Sequence, residues 1–274
     1  MLLSPDTVRM IDTHYPLNPH HPLNQSRVAW WLAASQLAGG AFLYDLVNGL
    51  YTATLNSASW KSGIRVPGLY SIATGGGGYA SAANPIKSAL NLSLACWFIT
   101  GNVNGQNAGI VDCRDTGAGE GVRIAVDSAN PNNLIAIREH AFTNVQINGP
   151  ALSVNTWYRV VVTVSGATMT LYLNGVSQGT NSVTGTLAGG SSIFFGKNYA
   201  TSTYWTGWID DISAWTRALS AAEVLEDFEL GMAGYPGVLN YTPFTRIAAV
   251  PVVASGRPPI PLVVTPAFPY QLGL

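Results

Sequence analysis

The stretch WYRVVVTVSGATMTLYLNG, residues 157–175, alternates apolar and polar side chains on both sides of a Gly-containing break. That pattern limits the segment to an antiparallel hairpin. With Ser165-Gly166 as a two-residue turn, Val164 faces Ala167, Val162 faces Met169, Val160 faces Leu171 and Tyr158 faces Leu173, all on one side. Trp157, Arg159, Thr163, Thr168, Thr170 and Tyr172 take the other side, as in a half-buried sheet. Asn174-Gly175 supplies the next tight turn. Similar short runs occur at 93–99, 108–113, 121–127, 133–139, 191–196 and 207–215. Strands at this spacing, without alternating helices, predict an all-β sandwich.

A core is affordable, since 47% of the 274 residues are apolar, and 29 glycines supply turns. Charge is scarce: 10% of residues are charged, against roughly 25% in an average soluble chain. Lys61, Lys87 and Lys197 are the lysines, and they lie far apart, so no phosphate-tracking surface forms and nucleic acid is excluded as a partner. No apolar run approaches the ~18 residues of a membrane helix, so membrane insertion is not expected. The opening MLLSPDTVRMIDTHYPLNPHHPLN does not read as a secretory signal, because Pro5, Asp6 and Asp12 interrupt it early. Cys96 and Cys113 flank the loop 101–109, which leaves a disulfide or two buried thiols as alternatives.

Three regions differ in composition: an extended N-terminal arm over 1–27, a Gly-punctuated body over 28–235, and a C-terminal arm over 236–274. The C-terminal arm holds eight of the 16 prolines, which forbids regular helix and central strand. It is nevertheless apolar at Val252-Val253, Leu262-Val263-Val264 and Phe268, and so needs a surface to lie on. In the N-terminal arm, His14, His20 and His21 stand among Pro16, Pro19 and Pro22 and read as extended chain, not as metal ligands. One short helix is predicted near the end of the body. Ser220 and Glu223 form a capping box, Val224, Leu225 and Phe228 an apolar stripe, and Gly231 a C-terminal stop, with the acidic residues on a solvated face.

The stretch YWTGWIDDISAWTRALSAAEV (204–224) resembles the closing signature of laminin-G-like, concanavalin A-like jelly rolls. WYRVVVTVSGATMTLYLNGV resembles the central hairpin of that family, and VAWWLAAS with LYDLVNGLYTATL (28–55) its first strand. The resemblance covers roughly residues 28–232 and implies a two-sheet antiparallel jelly-roll sandwich with one short C-terminal helix. The fold does not decide the function, because this sandwich hosts lectins, glycan hydrolases and structural domains alike.

Catalysis is not expected. The glucanases of this fold use a Glu-x-Asp-x-Glu type of strand, which is missing here; Asp210 and Asp211 are consecutive and point to opposite faces of a strand. By resemblance Asp210 is structural. The run TGGGGYASAANP (74–85) lacks a following Lys and helix, and reads as a surface loop, not a phosphate cradle. Many relatives hold Ca2+, for which the candidates are Asp45 after the first strand and Asp112, Asp115 and Glu120 in DCRDTGAGE. For a glycan, the candidate patch is Lys197, Asn198, Tyr199, Tyr204 and Trp205 in GKNYATSTYWTG. The expected function is that of a non-catalytic structural or decorating protein on a particle such as a phage virion. Its arms would bind neighbouring subunits in an oligomer or assembly, and its surface would contribute adhesion to cell-surface glycans. The alternative is a free extracellular carbohydrate-binding or adhesive module.

Overall fold

A computed structural model describes residues 20–33, 40–62, 70–74, 77–101, 108–114, 120–127, 133–184, 189–199, 201 and 203–232. Asp115, His14 and the C-terminal arm expected over 236–274 lie outside the described residues. In chain order the strands are β1 (Arg27–Trp31), β2 (Phe42–Leu43), β3 (Ala53–Asn56), β4 (Ser59–Ser62), β5 (Tyr70–Thr74), β6 (Tyr79–Ala83), β7 (Leu92–Thr100) and β8 (Gly109–Asp112). They continue as β9 (Gly121–Val126), β10 (Asn133–His140), β11 (Thr143–Ala151), β12 (Trp157–Ser165), β13 (Thr168–Leu173), β14 (Val176–Ser182), β15 (Ser192–Phe195) and β16 (Gly207–Trp215). A 3-10 turn, Pro22–Asn24, precedes them and a helix, α1 (Ala221–Met232), follows.

Among the described residues the strands form two antiparallel sheets. The first runs β14-β13-β12-β7-β16-β5-β4, with β1 also pairing β16; the second runs β11-β10-β9-β8-β15-β6-β3-β2. Alternation decides which side chains meet between them. Phe98, Val160, Val162 and Leu171 of the first sheet share one core with Val122, Ile124, Ala136, Ile193 and Phe195 of the second. Trp31 and Phe195 meet edge to face across it, with ring centroids 4.9 Å apart.

The central hairpin folds one position later than the sequence reading has it. Val160 pairs Leu173, Val162 pairs Leu171 and Ser165 pairs Thr168, so Gly166-Ala167 is the turn. Gly166 has φ +54° and Ala167 does not share that sign, which is the type II′ arrangement with glycine at the first central position. The shift moves each partner by two residues and therefore keeps every side chain on its expected face. A second difference lies in TGGGGYASAANP: Tyr79–Ala83 is not loop but β6, an interior strand paired with both β3 and β15.

A third layer covers the outer face of the first sheet. Leu23 of the 3-10 turn, Leu219 just before α1 and Val224 of α1 pack on Ala95, Val161, Tyr172 and Trp215 of the strands. Residues 20–26, read from the sequence as the end of the extended N-terminal arm, are docked here: Trp215 Nε1 donates to the Leu23 carbonyl at 2.6 Å, and Arg217 donates to the Pro22 and Gln25 carbonyls at 2.5 and 2.9 Å. The capping box of α1 forms as expected, with Glu223 N donating to Ser220 Oγ and Ser220 N to Glu223 Oε2. Two details differ. Asp227 is buried, not solvated, and accepts two hydrogen bonds from Arg159. Gly231 lies inside the helix, not beyond its end, and a Cβ there would stand 2.6 Å from Trp97 Nε1.

Candidate functional site

The outer face of the second sheet carries the patch-forming residues. Inward Ala80, Ala82, Ile193 and Phe195 force Tyr79, Ser81 and Phe194 outward. Residues 196–199 and 203–205 then lie over this face as two paired segments, in which Lys197 bridges Tyr204 and Trp205 N donates to the Gly196 carbonyl at 2.8 Å. The result is a group of half-buried rings. Tyr79 lies 6.1 Å from Phe194 and 6.0 Å from Tyr204, and Phe194 lies 5.3 Å from Tyr199, all by ring centroid. Lys197 Nζ stands 4.7 Å from the Tyr79 ring and 5.3 Å from that of Phe194. Each such cation–π contact contributes about 0.5–1 kcal/mol at an exposed site, enough to hold the ammonium over the rings.

An ion network fixes the paired segments to the sheet. Asp112, fully buried on β8, accepts from Arg114 Nε at 3.0 Å and Nη2 at 2.8 Å, and from Tyr199 N at 3.0 Å. Arg114 also donates to Glu139 Oε2 and Asn198 Oδ1, both at 3.1 Å. Burial opposes the Arg114 charge, but its hydrogen bonds and attraction to Asp112 and Glu139 prevail and raise its pKa above the ordinary value.

Three of the five expected ligand-binding residues, Lys197, Tyr199 and Tyr204, therefore share this surface. The other two face inward. Trp205 is 3% exposed and meets Phe98 of the core edge to face at 5.9 Å, so its ring is unavailable for stacking on a ligand. Asn198 is buried as the acceptor for Arg114. Tyr79 and Phe194 were not among the expected residues. The strand parity of SSIFFG, with Phe195 inward, was the available signal for Phe194; Tyr79 was hidden by its glycine-rich prelude.

Of the calcium candidates, Asp45, Asp112 and Glu120 are described, and each is engaged by groups of the protein itself. Asp45 is an Asx-type brace whose carboxylate accepts from the backbone N–H groups of Trp30 and Val47, both at 3.0 Å, and of Tyr51 at 3.4 Å. Asp112 is engaged by Arg114. Glu120 accepts from Arg138 and from Ala141 N, both at 3.3 Å, with His140 Nδ1 2.6 Å away. No group of three or more His, Cys, Asp or Glu able to hold a metal occurs among the described residues. Asp210 and Asp211 are both structural: a bulge with Asp211 at φ +48° aims its Oδ1 at Trp30 Nε1, 2.7 Å away, while Asp210 Oδ1 accepts from Ala33 N and Asp211 N.

The family model described as the concanavalin A-like lectin/glucanases superfamily, of laminin G type, matches residues 74–225, more than half of the chain. The chain belongs to that superfamily. No curated protein matches it in sequence. Among solved structures, this laminin-G-type chain is similar to botulinum neurotoxin type C, whose cell entry depends on interaction with two ganglioside molecules, at 17% identity and a TM-score of 0.60, over 76% of this chain and 52% of that one. The binding domain of Paraclostridial Mosquitocidal Protein 1 is similar at 16% identity and a TM-score of 0.61, over 75% and 52%. The binding domain of botulinum neurotoxin DC, in complex with rat synaptotagmin II, is similar at 16% identity and 0.60, over 76% and 52%. The chain spans about half the length of these structures, and the likeness is one of fold. The laminin-G-type sandwich thus shares its architecture with domains that bind receptors.

Proposed function

We propose that this laminin-G-type sandwich is a non-catalytic carbohydrate-binding module whose ligand stacks on Tyr79, Phe194, Tyr199 and Tyr204 beside Lys197. The observation that carries the reading is the continuous set of half-buried rings around one ammonium. Ring faces take up the apolar side of a pyranose, while phenolic hydroxyls and the ammonium orient its oxygens. The likeness to receptor-binding domains of toxins supports a binding role over a catalytic one. So does the engagement of the nearby carboxylates: Asp112, Glu120 and Glu139 are each tied up in an ion pair with an arginine.

The test is a printed array of defined glycans probed with the full chain. Saturable binding lost in Tyr204→Ala and in Lys197→Met, with an unchanged melting temperature, is the expected result. Silence across the array, or unchanged binding in both variants, overturns the reading.

A particle-bound form of the same module is the second reading, favoured by the proline-rich, apolar composition of residues 236–274. It predicts that the full chain assembles into a particle or oligomer at its surface and that deletion of 236–274 abolishes assembly while glycan binding survives. A full chain that stays monomeric at high concentration and in the presence of its source particle removes that reading.

A further inference from the structure

The rings of the proposed site stand at one end of a longer row. On the outer face of the second sheet, Phe42 of β2 pairs Thr54 of β3, Thr54 pairs Ser81 of β6, and Ser81 pairs Phe194 of β15. Leu43, Ala53, Ala80 and Phe195 are the inward neighbours of these four, so all four point outward. Phe42 is 45% exposed and Tyr44 is 43% exposed, and their rings lie 6.3 Å apart, which makes a second aromatic pair at the sheet edge. Between the two aromatic groups the floor is made of small polar side chains. Asn56 spans it, donating through Nδ2 to Ser81 Oγ at 3.4 Å and to the Thr54 carbonyl at 3.2 Å.

We infer that the second sheet holds a two-ended oligosaccharide platform, in which Phe42 and Tyr44 form a remote stacking subsite for a ligand already seated on Tyr79, Phe194 and Tyr204. This rests on the carbohydrate-binding reading and deepens it by setting the ligand's length. Three strand spacings of ~4.8 Å separate Phe42 from Phe194, roughly 14 Å, the length of about three pyranose rings. A linear glycan laid across the strands places an apolar ring face on each aromatic group and its hydroxyls over Thr54, Asn56 and Ser81. A monosaccharide reaches one group only. The occupant is a carbohydrate and not an apolar peptide, because the middle of the row offers the hydroxyl and amide groups of Thr54, Asn56 and Ser81.

The same array, extended with homologous series of one to six residues for each glycan class it carries, tests the inference with wild type, Phe42→Ala and Tyr204→Ala. In any class that binds, apparent affinity is expected to rise about tenfold or more between two and four residues, the scale of one added aromatic contact. Phe42→Ala should remove that gain and leave the shortest binder within about twofold, since its ring is exposed and not part of the core. Tyr204→Ala should weaken every length. Equal binding of short and long ligands, or a Phe42→Ala variant that keeps the full gain, overturns the inference and leaves the carbohydrate-binding reading standing. Silence at every length overturns both.

Discussion

Arg159 of β12 and Asp227 of α1 form a two-pronged ion pair between the first sheet and the helix that covers it, with Nε 2.7 Å from Oδ2 and Nη2 3.1 Å from Oδ1. A third donor, Nη1, reaches the carbonyl of Asp211 at the bulge in β16, 2.6 Å away. Burial works against the Arg159 charge, but Asp227 and Asp211 overcome it and hold its pKa above the ordinary value. One guanidinium therefore ties the helix to two strands. Asp227→Ala strands that cation in a buried site and should cost about 3–5 kcal/mol, whereas Arg159→Met combined with Asp227→Leu should recover most of the loss. Urea unfolding of the single and double variants measures both.

Trp205→Ala should behave as a core truncation, not as a binding variant. The ring is buried against Phe98, so the change should lower stability by about 3–5 kcal/mol. Thermal unfolding and glycan binding, measured side by side with Tyr204→Ala, separate the two roles: Tyr204→Ala should lose binding with little change in melting temperature.

Gly231→Ala places a methyl group 2.6 Å from the indole nitrogen of Trp97 and must push the helix from the sheet. A loss of about 1–3 kcal/mol is expected from overpacking, against the small gain that alanine brings to an ordinary helix interior. A variant as stable as wild type in urea would show that the helix does not sit where Trp97 requires it.

Glu223 gives the fold an acid-side pH dependence. Burial raises its pKa, but Arg217 and the Ser220 cap outweigh burial and hold the carboxyl below its usual range. A carboxyl depressed in the folded state contributes stability that is complete above its unfolded value of 4.5 and is lost as pH falls through the folded value. Stability curves of wild type and Glu223→Gln should therefore lie apart at pH 7 and converge below pH 4.5. Curves that stay parallel to the acid limit would remove the cap from this account.

Cys96 and Cys113 are both free and buried, and burial pushes each thiol up to about 12. At pH 8 neither should react with a disulfide reagent such as dithionitrobenzoate until denaturant is added, after which two thiols per chain should titrate. Fast native-state labelling would contradict their place in the core.

Much of this architecture was legible from alternation alone. Residues 207–215 form β16 with the bounds the sequence pattern had set, and the capping box at Ser220 and Glu223 forms at the helix start. What alternation could not supply was register, because Ser165-Gly166 and Gly166-Ala167 both keep the valines inward and only the φ requirement of a type II′ turn chooses between them. β6 was missed because its inward residues are alanines, which carry little hydrophobic signal. The candidate site was half legible. Tyr204 and Trp205 are adjacent, so on extended chain one had to turn inward, and Phe98 decided which. Phe42 and Tyr44 lie far from residues 196–205 in sequence and joined the same face through sheet order, which no local pattern records.

The docking of the 3-10 turn beside α1 has a consequence for how the body can be connected. His21 lies 3.5 Å from Glu226 in the middle of α1, and both segments cover the first sheet, so the chain enters and leaves the described body on that one side. The aromatic row occupies the outer face of the opposite sheet. Both connections of the described body therefore stand on the side opposite its ring-bearing face, so a neighbouring domain attached at either end need not cover the rings.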